Sequence, residues 1–600
     1  MHRPKLRTPF AVLSLASIIC STLIHPRPAP AQDLVSNEDI SGGSSVFVFK
    51  EGAKKPQRHS NLRVRSHSDR GRASRVGAQA TSAASKRRAA AIARRKKMAR
   101  TGDRRAALSA TLTVAAEGYL DSNQLDLAIK NFRDALAQDP KNTRATEGLS
   151  NALTAKGIES AGTNNNSATI PFFEEAVKLD PQNDVAFARL GSIYDSQGDT
   201  DKAIPSYEKA VALNPEYKDL YPTLGIAYVE RGDVAKGQEA LTNSEKAGLE
   251  NADVDFLRGV IAFKNNRDDE ALAAFDKVDK ETHWAEAQYY RGQILARQGK
   301  TTEAVAQYRG ALNTDPTFAP AAFDLGVEEY NSGNYNDAIT AYKTAVQDDP
   351  DNPQAHANLA SSFRQVEQYP AANGEYKIAS NGIKDSGLYS EWGYCLGKTN
   401  EWDKATGRLN TAAEMTPTAV DDSNVGWAYY NAGKFQASAK NDTQAKADYD
   451  LAQTFAQRAV TLDPRLDAAY LNLGATQNAL GLFQLSVQTL TTALGLHSNW
   501  VIALNELGYG YRGAGDYAHA ISTYQQVVGL DNRNVFGLFG LSEAFFASGK
   551  KKDAKRVADQ LRQVDPGTAA KLDLVIAGKV VDAATDKIRQ KTPKIPRFPY

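Results

Sequence analysis

The stretch that decides the fold is DVAFARLGSIYDSQGDTDKAIPSYEKAVALNPEY, residues 184–217. Its apolar residues recur at helical spacing in two short runs, which predicts two amphipathic helices. Gly198 lies between the runs, and Asp199 and Thr200 offer side-chain oxygens that can cap the second helix. Pro215 follows the second run and ends it, because proline disfavours helix at the preceding residue. The stretch therefore predicts a helix–turn–helix unit.

Small residues on the facing sides of the two helices allow a close approach, and aromatic residues fill the remaining space. The small residues are Gly191, Ala203 and Ala210, and the aromatic ones are Phe187, Tyr194 and Tyr207.

The same unit recurs along most of the chain. Its second helices carry Ala128-Phe132-Ala135-Pro140, Ala304-Tyr308-Ala311-Pro316, Ala338-Tyr342-Ala345-Pro350 and Ala405-Leu409-Ala412-Pro417. This pattern resembles the tetratricopeptide repeat (TPR), whose period is about 34 residues. The resemblance implies an all-α, right-handed superhelical solenoid of about thirteen units over residues 109–567. The units are expected to start near residues 109, 143, 184, 218, 252, 285, 319, 353, 386, 419, 467, 501 and 535.

Some units depart from the pattern. Extra residues occur at 163–167, a longer insert spans about 435–448, and Gly237 replaces the usual alanine of its unit. These departures affect local geometry and leave the repeat architecture intact.

Residues 1–31 are typical of an export signal. A basic start is followed by a largely apolar run, residues 10–24, and by Ala29-Pro30-Ala31. We expect a cleaved signal and a periplasmic or secreted chain; the alternative is an uncleaved anchor. Cleavage would remove Cys20 and leave Cys395, which we expect to be a small buried residue.

Residues 32–105 form a basic arm that we expect to be disordered. Residues 50–105 contain about nineteen Lys or Arg but only three Asp or Glu. Val46-Phe47-Val48-Phe49 could form one short strand, but the sequence shows no partner strand. The arm is either a solvated tail or a segment that docks on an anionic surface, which could be phospholipid headgroups, an anionic envelope polymer or the acidic solenoid itself. Nucleic acid would suit the charge but fits poorly with export. The rest of the chain is acidic by roughly fifteen to twenty charges.

The C-terminal end is predicted to cover the last repeat. Residues 568–591 favour a capping helix with an apolar face, and residues 592–600 form an extended, proline-rich tail. Without an anchor, the mature chain is not expected to be an integral membrane protein.

Partner binding is expected on the concave face that the first helices form in TPR proteins. Aromatic side chains are frequent on the corresponding helical stripe, where they could anchor a protein or peptide ligand or pack between repeats. An asparagine ladder, as in glycosyltransferase-associated TPR proteins, is only hinted at by Asn358, Asn424 and Asn472. The candidate binding residues are Phe256, Phe263, Tyr289, Phe323, Tyr330, Tyr394, Trp427, Tyr430, Tyr509, Arg512, Phe539 and Phe546.

Catalytic motifs are weak or missing from the sequence. The G-x-G-x-x-G match at residues 508–513 lies inside a repeat helix with no preceding strand, and the histidines show no metal-ligand spacing. We therefore expect no cofactor and no enzymatic activity. The sequence predicts an exported TPR scaffold that binds a polypeptide partner and organises a complex. The alternative function is binding of an envelope polysaccharide or anionic polymer.

Overall fold

The computed structural model describes residues 45–49, 104–161, 166–282 and 284–577. Over these ranges the regular structure is helical and contains no strand, so the predicted all-α TPR-like solenoid is confirmed. The expected signal peptide, most of the basic arm and the C-terminal tail lie outside the described residues.

The chain divides into two compact units, between residues 400 and 401. The described residues of the first unit, here called the N-terminal body, contain eight pairs of α-helices, one further α-helix and a short 3-10 helix, Asn166–Thr169. Its helices are α1 Arg104–Asp121, α2 Leu125–Gln138, α3 Thr143–Ala161, α4 Ile170–Leu179, α5 Asp184–Ser196, α6 Thr200–Leu213, α7 Leu220–Arg231, α8 Val234–Lys246, α9 Ala252–Lys264, α10 Asp268–Thr282, α11 Ala285–Arg297, α12 Thr301–Thr314, α13 Ala319–Asn331, α14 Tyr335–Asp348, α15 Pro353–Gln365, α16 Tyr369–Gly382 and α17 Ser386–Lys398.

The second unit, the C-terminal body, also includes residues 45–49. Its helices are α18 Trp402–Met415, α19 Ala419–Ser438, α20 Asp442–Leu462, α21 Asp467–Ala479, α22 Phe483–Leu496, α23 Val501–Gly513, α24 Tyr517–Leu530, α25 Val535–Ala547 and α26 Lys551–Val564, and residues 566–577 are also helical. Within the described ranges, α1–α26 supply the helices of thirteen units.

The pair α5–α6 shows how the sequence builds a unit. The side chain of Asp199 accepts a hydrogen bond from the backbone N–H of Lys202, and Gly198 adopts φ +72° in the turn. A methyl group at Gly191 would lie 2.5 Å from the ring of Tyr207. The missing side chain therefore lets the two helices meet at the aromatic ring, as the sequence pattern predicts.

The insert at residues 435–448 lengthens two helices instead of forming a long loop. α19 has 20 residues and α20 has 21, and a turn at Ala439–Asn441 joins them. Gly433 lies near the end of the longer interface, where a methyl group would meet the Tyr449 ring at 2.7 Å.

Candidate functional site

The candidate site is a groove in the C-terminal body, lined by α19 and α21 and occupied by residues 45–49 of the same chain. The backbone N–H of Val46 donates to Asn472 Oδ1 at 2.7 Å, and Asn472 Nδ2 donates to the carbonyl oxygen of Val46 at 2.8 Å. One side-chain amide thus satisfies both polar backbone groups of one residue.

A second asparagine repeats this arrangement two residues further along the segment. The backbone N–H of Val48 donates to Asn424 Oδ1 at 2.7 Å, and Asn424 Nδ2 donates to the carbonyl oxygen of Val48 at 2.6 Å. Alternate residues of an extended chain present their backbone groups on the same edge. The two amides, here called the asparagine clamps, therefore hold residues 45–49 in extended form.

The repeat explains why the two clamps fall in register. Asn424 precedes Val425-Gly426 in α19, and Asn472 precedes Leu473-Gly474 in α21, so both occupy the same position of their unit. Both asparagines are fully buried. Stacked repeats thus place equivalent amides side by side along the groove.

Further hydrogen bonds fix the clamp on α21. Asn472 Nδ2 also lies 3.0 Å from Ser423 Oγ and 3.3 Å from the carbonyl oxygen of Ser423 on the neighbouring first helix. At the other end, Asn431 Nδ2 donates to Ser45 Oγ at 3.2 Å and to the carbonyl oxygen of Trp427 at 2.8 Å. Contacts within the body therefore help to orient the amides of Asn472 and Asn431.

Aromatic contacts complete the site. The rings of Phe47 and Trp427 lie edge to face with centroids 5.1 Å apart, and Trp427 also packs at 5.6 Å from Trp402. Phe47 and Phe49 are 4.9 Å apart. Phe47 is only 3% exposed, so its ring is inserted among these side chains instead of lying on the surface.

Apolar packing holds the first clamped residue. Val46 is fully buried and belongs to a cluster of apolar side chains from α21, α23 and the neighbouring helices. The members of that cluster are Val46, Ala468, Leu471, Leu490, Trp500, Ala503 and Leu507.

A buried carboxylate pair lies one turn before the clamp on α19. Asp421 and Asp422 are at most 2% exposed, and Arg458 Nη2 is 3.2 Å from Asp422 Oδ1. Burial raises the pKa of Asp422, and the positive charge of Arg458 opposes that rise. Asp422 is thus paired with α20, whereas Asp421 accepts a hydrogen bond from Thr418 Oγ1 at the start of α19.

The predicted aromatic residues of the N-terminal body contact other rings of that body. Phe256 lies 5.4 Å from Trp284, Tyr289 lies 5.4 Å from Phe318, and Phe323 lies 5.7 Å from Tyr342, measured between ring centroids. The other predicted residues there behave similarly: Phe263 contacts Tyr290, Tyr330 contacts Tyr335, and Tyr394 contacts Tyr369. Their role as partner anchors stays a prediction.

The predicted residues of the C-terminal body fall into two groups. Trp427 contacts the bound segment, whereas Tyr430 is 4% exposed and packs 5.9 Å from Tyr449. The remaining ones lie further along the repeats: Tyr509 is 40% exposed beside Phe483, Arg512 pairs with Glu543 at 2.7 Å, and Phe539 and Phe546 are half-buried around the last helix pair. Of these twelve residues, Trp427 contacts Phe47 of residues 45–49.

Sequence reasoning missed the occupant of the groove. Val46-Phe47-Val48-Phe49 was expected to be a strand without a partner, but its partners are side-chain amides on helices. The third asparagine at the same repeat position, Asn358, is bonded to Gln354 and Tyr342 within the N-terminal body. In the sequence, the site is indicated by the recurrence of asparagine before Val425-Gly426 and before Leu473-Gly474.

The described ranges contain no group of three or more acidic, histidine or cysteine residues arranged to hold a metal ion. The G-x-G-x-x-G match lies within α23. Cys395 is fully buried, and burial raises the pKa of its thiol. In the part of the chain that the structure describes, no α-helix is both long and apolar enough to cross a bilayer.

Models of known protein families match the helix–turn–helix repeat in several parts of the chain. Family models described as tetratricopeptide or TPR repeats match residues 113–161, 185–217, 223–282, 285–320, 326–365 and 503–534.

Curated relatives match over limited lengths. The small glutamine-rich tetratricopeptide repeat-containing protein 2 of Mycosarcoma maydis is 30% identical over 96 residues, 16% of this chain and 27% of its own length. The Protein CTR9 homolog of Arabidopsis thaliana is 24% identical over 311 residues, 45% of this chain and 28% of its own. The chain thus covers about a quarter of the length of the curated relatives that it matches.

Two solved structures are also similar. The APC/C hetero-tetramer Cut9-Hcn1 gives a TM-score of 0.34 at 15% identity over 78% of this chain and 96% of that one. The human IFIT1 dimer with m7Gppp-AAAA gives a TM-score of 0.29 at 15% identity over 58% of this chain and 90% of that one. The family models thus identify tetratricopeptide repeats in the matched residues of this chain.

Proposed function

We propose that this chain is a non-enzymatic scaffold that binds a polypeptide partner in extended form in the groove of α19 and α21. The observation that carries the proposal is the double hydrogen bond that each asparagine clamp makes to one residue of residues 45–49. Binding in such a groove would let the scaffold organise a protein complex.

The geometry of the clamps favours a peptide over a sugar polymer. Each clamp needs one N–H and one C=O from the same residue, and the next clamp needs them two residues later, about 7 Å along an extended chain. A polypeptide provides this pattern whatever its side chains are, so main-chain bonds give affinity and side-chain pockets give specificity. A polysaccharide without N-acetyl groups offers no such N–H donors, which makes binding of such a polymer the less favoured function.

Export remains part of the proposal because residues 1–31 carry its signal in the sequence. An exported scaffold would meet its partner in the periplasm or outside the cell, where the basic arm could also contact an anionic envelope surface.

A peptide titration tests the proposal. The receptor is the full chain with Ser45–Phe49 replaced by a glycine–serine segment, and the probe is a fluorescent synthetic peptide of residues 43–51, GSSVFVFKE. We expect saturable binding in fluorescence polarisation, and loss of that binding when Asn424→Ala and Asn472→Ala are added. Equal binding by the double-alanine receptor, or binding of dextran in place of the peptide, would contradict the proposal.

A further inference from the structure

Residues 45–49 occupy the groove proposed above for a partner, and the following step rests on that proposed function. We infer that this segment is a self-ligand, which closes the groove until a partner segment of the same chemistry displaces it. The inference concerns regulation of the groove and the kind of peptide that opens it.

The segment uses the groove as a ligand would. Both polar backbone groups of Val46 and of Val48 are bonded to the clamps, and the Phe47 ring packs on Trp427. Ser45, Val46 and Phe47 are each at most 3% exposed. A second peptide cannot reach the asparagine clamps while these contacts persist.

The contacts also describe the partner that can compete. The residues that meet the clamps must keep their N–H groups, so neither can be proline. The residue in place of Val46 enters a fully apolar cluster, which excludes a charged side chain there. The residue between the clamps faces Trp427, where an aromatic ring fits edge to face. The partner is therefore a protein with an extended, uncharged segment that alternates β-branched and aromatic residues.

Covalent attachment makes the self-ligand an effective competitor. The effective concentration of a tethered segment depends on the length and stiffness of the chain that connects it to its site, and it lies on the order of 1 mM in favourable cases. At that concentration, a free peptide that binds the open groove with a Kd of about 0.1 mM would bind the closed chain about tenfold more weakly. A partner therefore needs a higher affinity for the groove, or additional contacts elsewhere, to displace residues 45–49.

The test compares two full-length chains with the fluorescent 43–51 peptide as the probe. One is the natural chain, and the other carries Val46→Pro and Val48→Pro, which remove both N–H donors of the tethered segment without changing a repeat helix. We expect the proline chain to bind the peptide about tenfold more tightly. A control peptide with proline at the same two positions should bind neither chain.

Hydrogen exchange supplies a second readout on the natural chain. The backbone amides of Val46 and Val48 should be protected from exchange in the natural chain. The double variant Asn424→Ala, Asn472→Ala should lose this protection, whereas helices α23 to α26 should stay protected in it.

The outcomes separate the self-ligand from the proposed function. Equal peptide affinity for the natural and proline chains would overturn the self-ligand and leave the peptide groove standing. Absence of peptide binding to the natural chain, the proline chain and the glycine–serine chain would overturn both. A natural chain that sediments as a dimer and a proline chain that sediments as a monomer would show exchange between copies and overturn occupation within one chain.

Discussion

Asn472 and Val46 exchange two hydrogen bonds, at 2.7 and 2.8 Å, across 426 positions of sequence. The pairing imitates what a neighbouring strand would offer, but it comes from a side-chain amide on a helix. It explains how a segment with strand-like composition can bind a body made of helices. The predictions below test that relationship and the repeat packing that supports it.

Truncating a clamp should weaken peptide binding. Asn472→Ala and Asn424→Ala each remove one donor and one acceptor, and loss of such partners costs about 1–3 kcal/mol for a buried group. Titration of the 43–51 peptide into chains with the glycine–serine segment measures the loss. Asn358→Ala is the matched control, because it stands at the same repeat position in the N-terminal body and should leave the affinity unchanged.

A methyl group should have opposite effects at two helical glycines. Gly191→Ala places a carbon 2.5 Å from the Tyr207 ring, so we expect a loss of about 1–3 kcal/mol in the free energy of unfolding. Gly374→Ala meets no atom within 4 Å and should gain up to about 1 kcal/mol from helix propensity. Denaturant unfolding of the two variants checks the pair. A loss at both positions would show that the close approach of α5 and α6 is not the cause.

The pH dependence of stability should carry a contribution from Asp422. Burial raises its pKa in the folded chain above the ordinary 3.8, so the folded state binds this proton more tightly than the unfolded state does. Its contribution to the free energy of unfolding is therefore fully present below pH 3.8 and declines as the pH rises through the folded pKa. Asp422→Asn should flatten this decline in denaturant unfolding, whereas the exposed Asp450→Asn should not. Identical pH profiles for Asp422→Asn and the natural chain would contradict the assignment.

Export can be tested by N-terminal sequencing. If residues 1–31 are a cleaved signal, the sequence of the protein from the cell envelope should begin near Gln32. An N-terminus at Met1 on membrane-embedded protein would favour an anchor.

The basic arm can be tested by deletion of residues 50–103. The deletion should leave the melting temperature of the helices almost unchanged and lower binding to anionic vesicles. Added salt should reproduce the loss of vesicle binding by screening the charges.

The sequence predicts the repeat architecture because each unit is local. The pattern around Gly191 and Tyr207 lies within one unit of about 34 residues and recurs in the neighbouring units, so it can be recognised from the sequence. The site depends on contacts between residues 45–49 and helices 376 to 426 positions away, for which no periodicity exists. The asparagines were visible in the sequence, but nothing in their spacing shows that their ligand is the chain itself.

Trp427 and Tyr430 lie three residues apart on α19, and both pack against aromatic rings of the C-terminal body. Trp427 also packs on Phe47 of the segment, so Trp427→Ala should weaken peptide binding and lower stability. Tyr430 packs with Tyr449 and belongs to a cluster with Ala452 and Ala475, so Tyr430→Ala should cost about 3–5 kcal/mol of folding stability. Denaturant unfolding measures both losses, and titration of the 43–51 peptide measures the loss of binding.

The peptide itself provides the control that separates binding from folding. Replacing the residue of the probe that corresponds to Phe47 with alanine removes the ring facing Trp427 and leaves the protein unchanged. If Trp427 anchors the partner, this peptide and the Trp427→Ala chain should lose affinity, and combining the two changes should cost less than the sum. Additive losses would place Trp427 in the core alone, with no direct part in recognition.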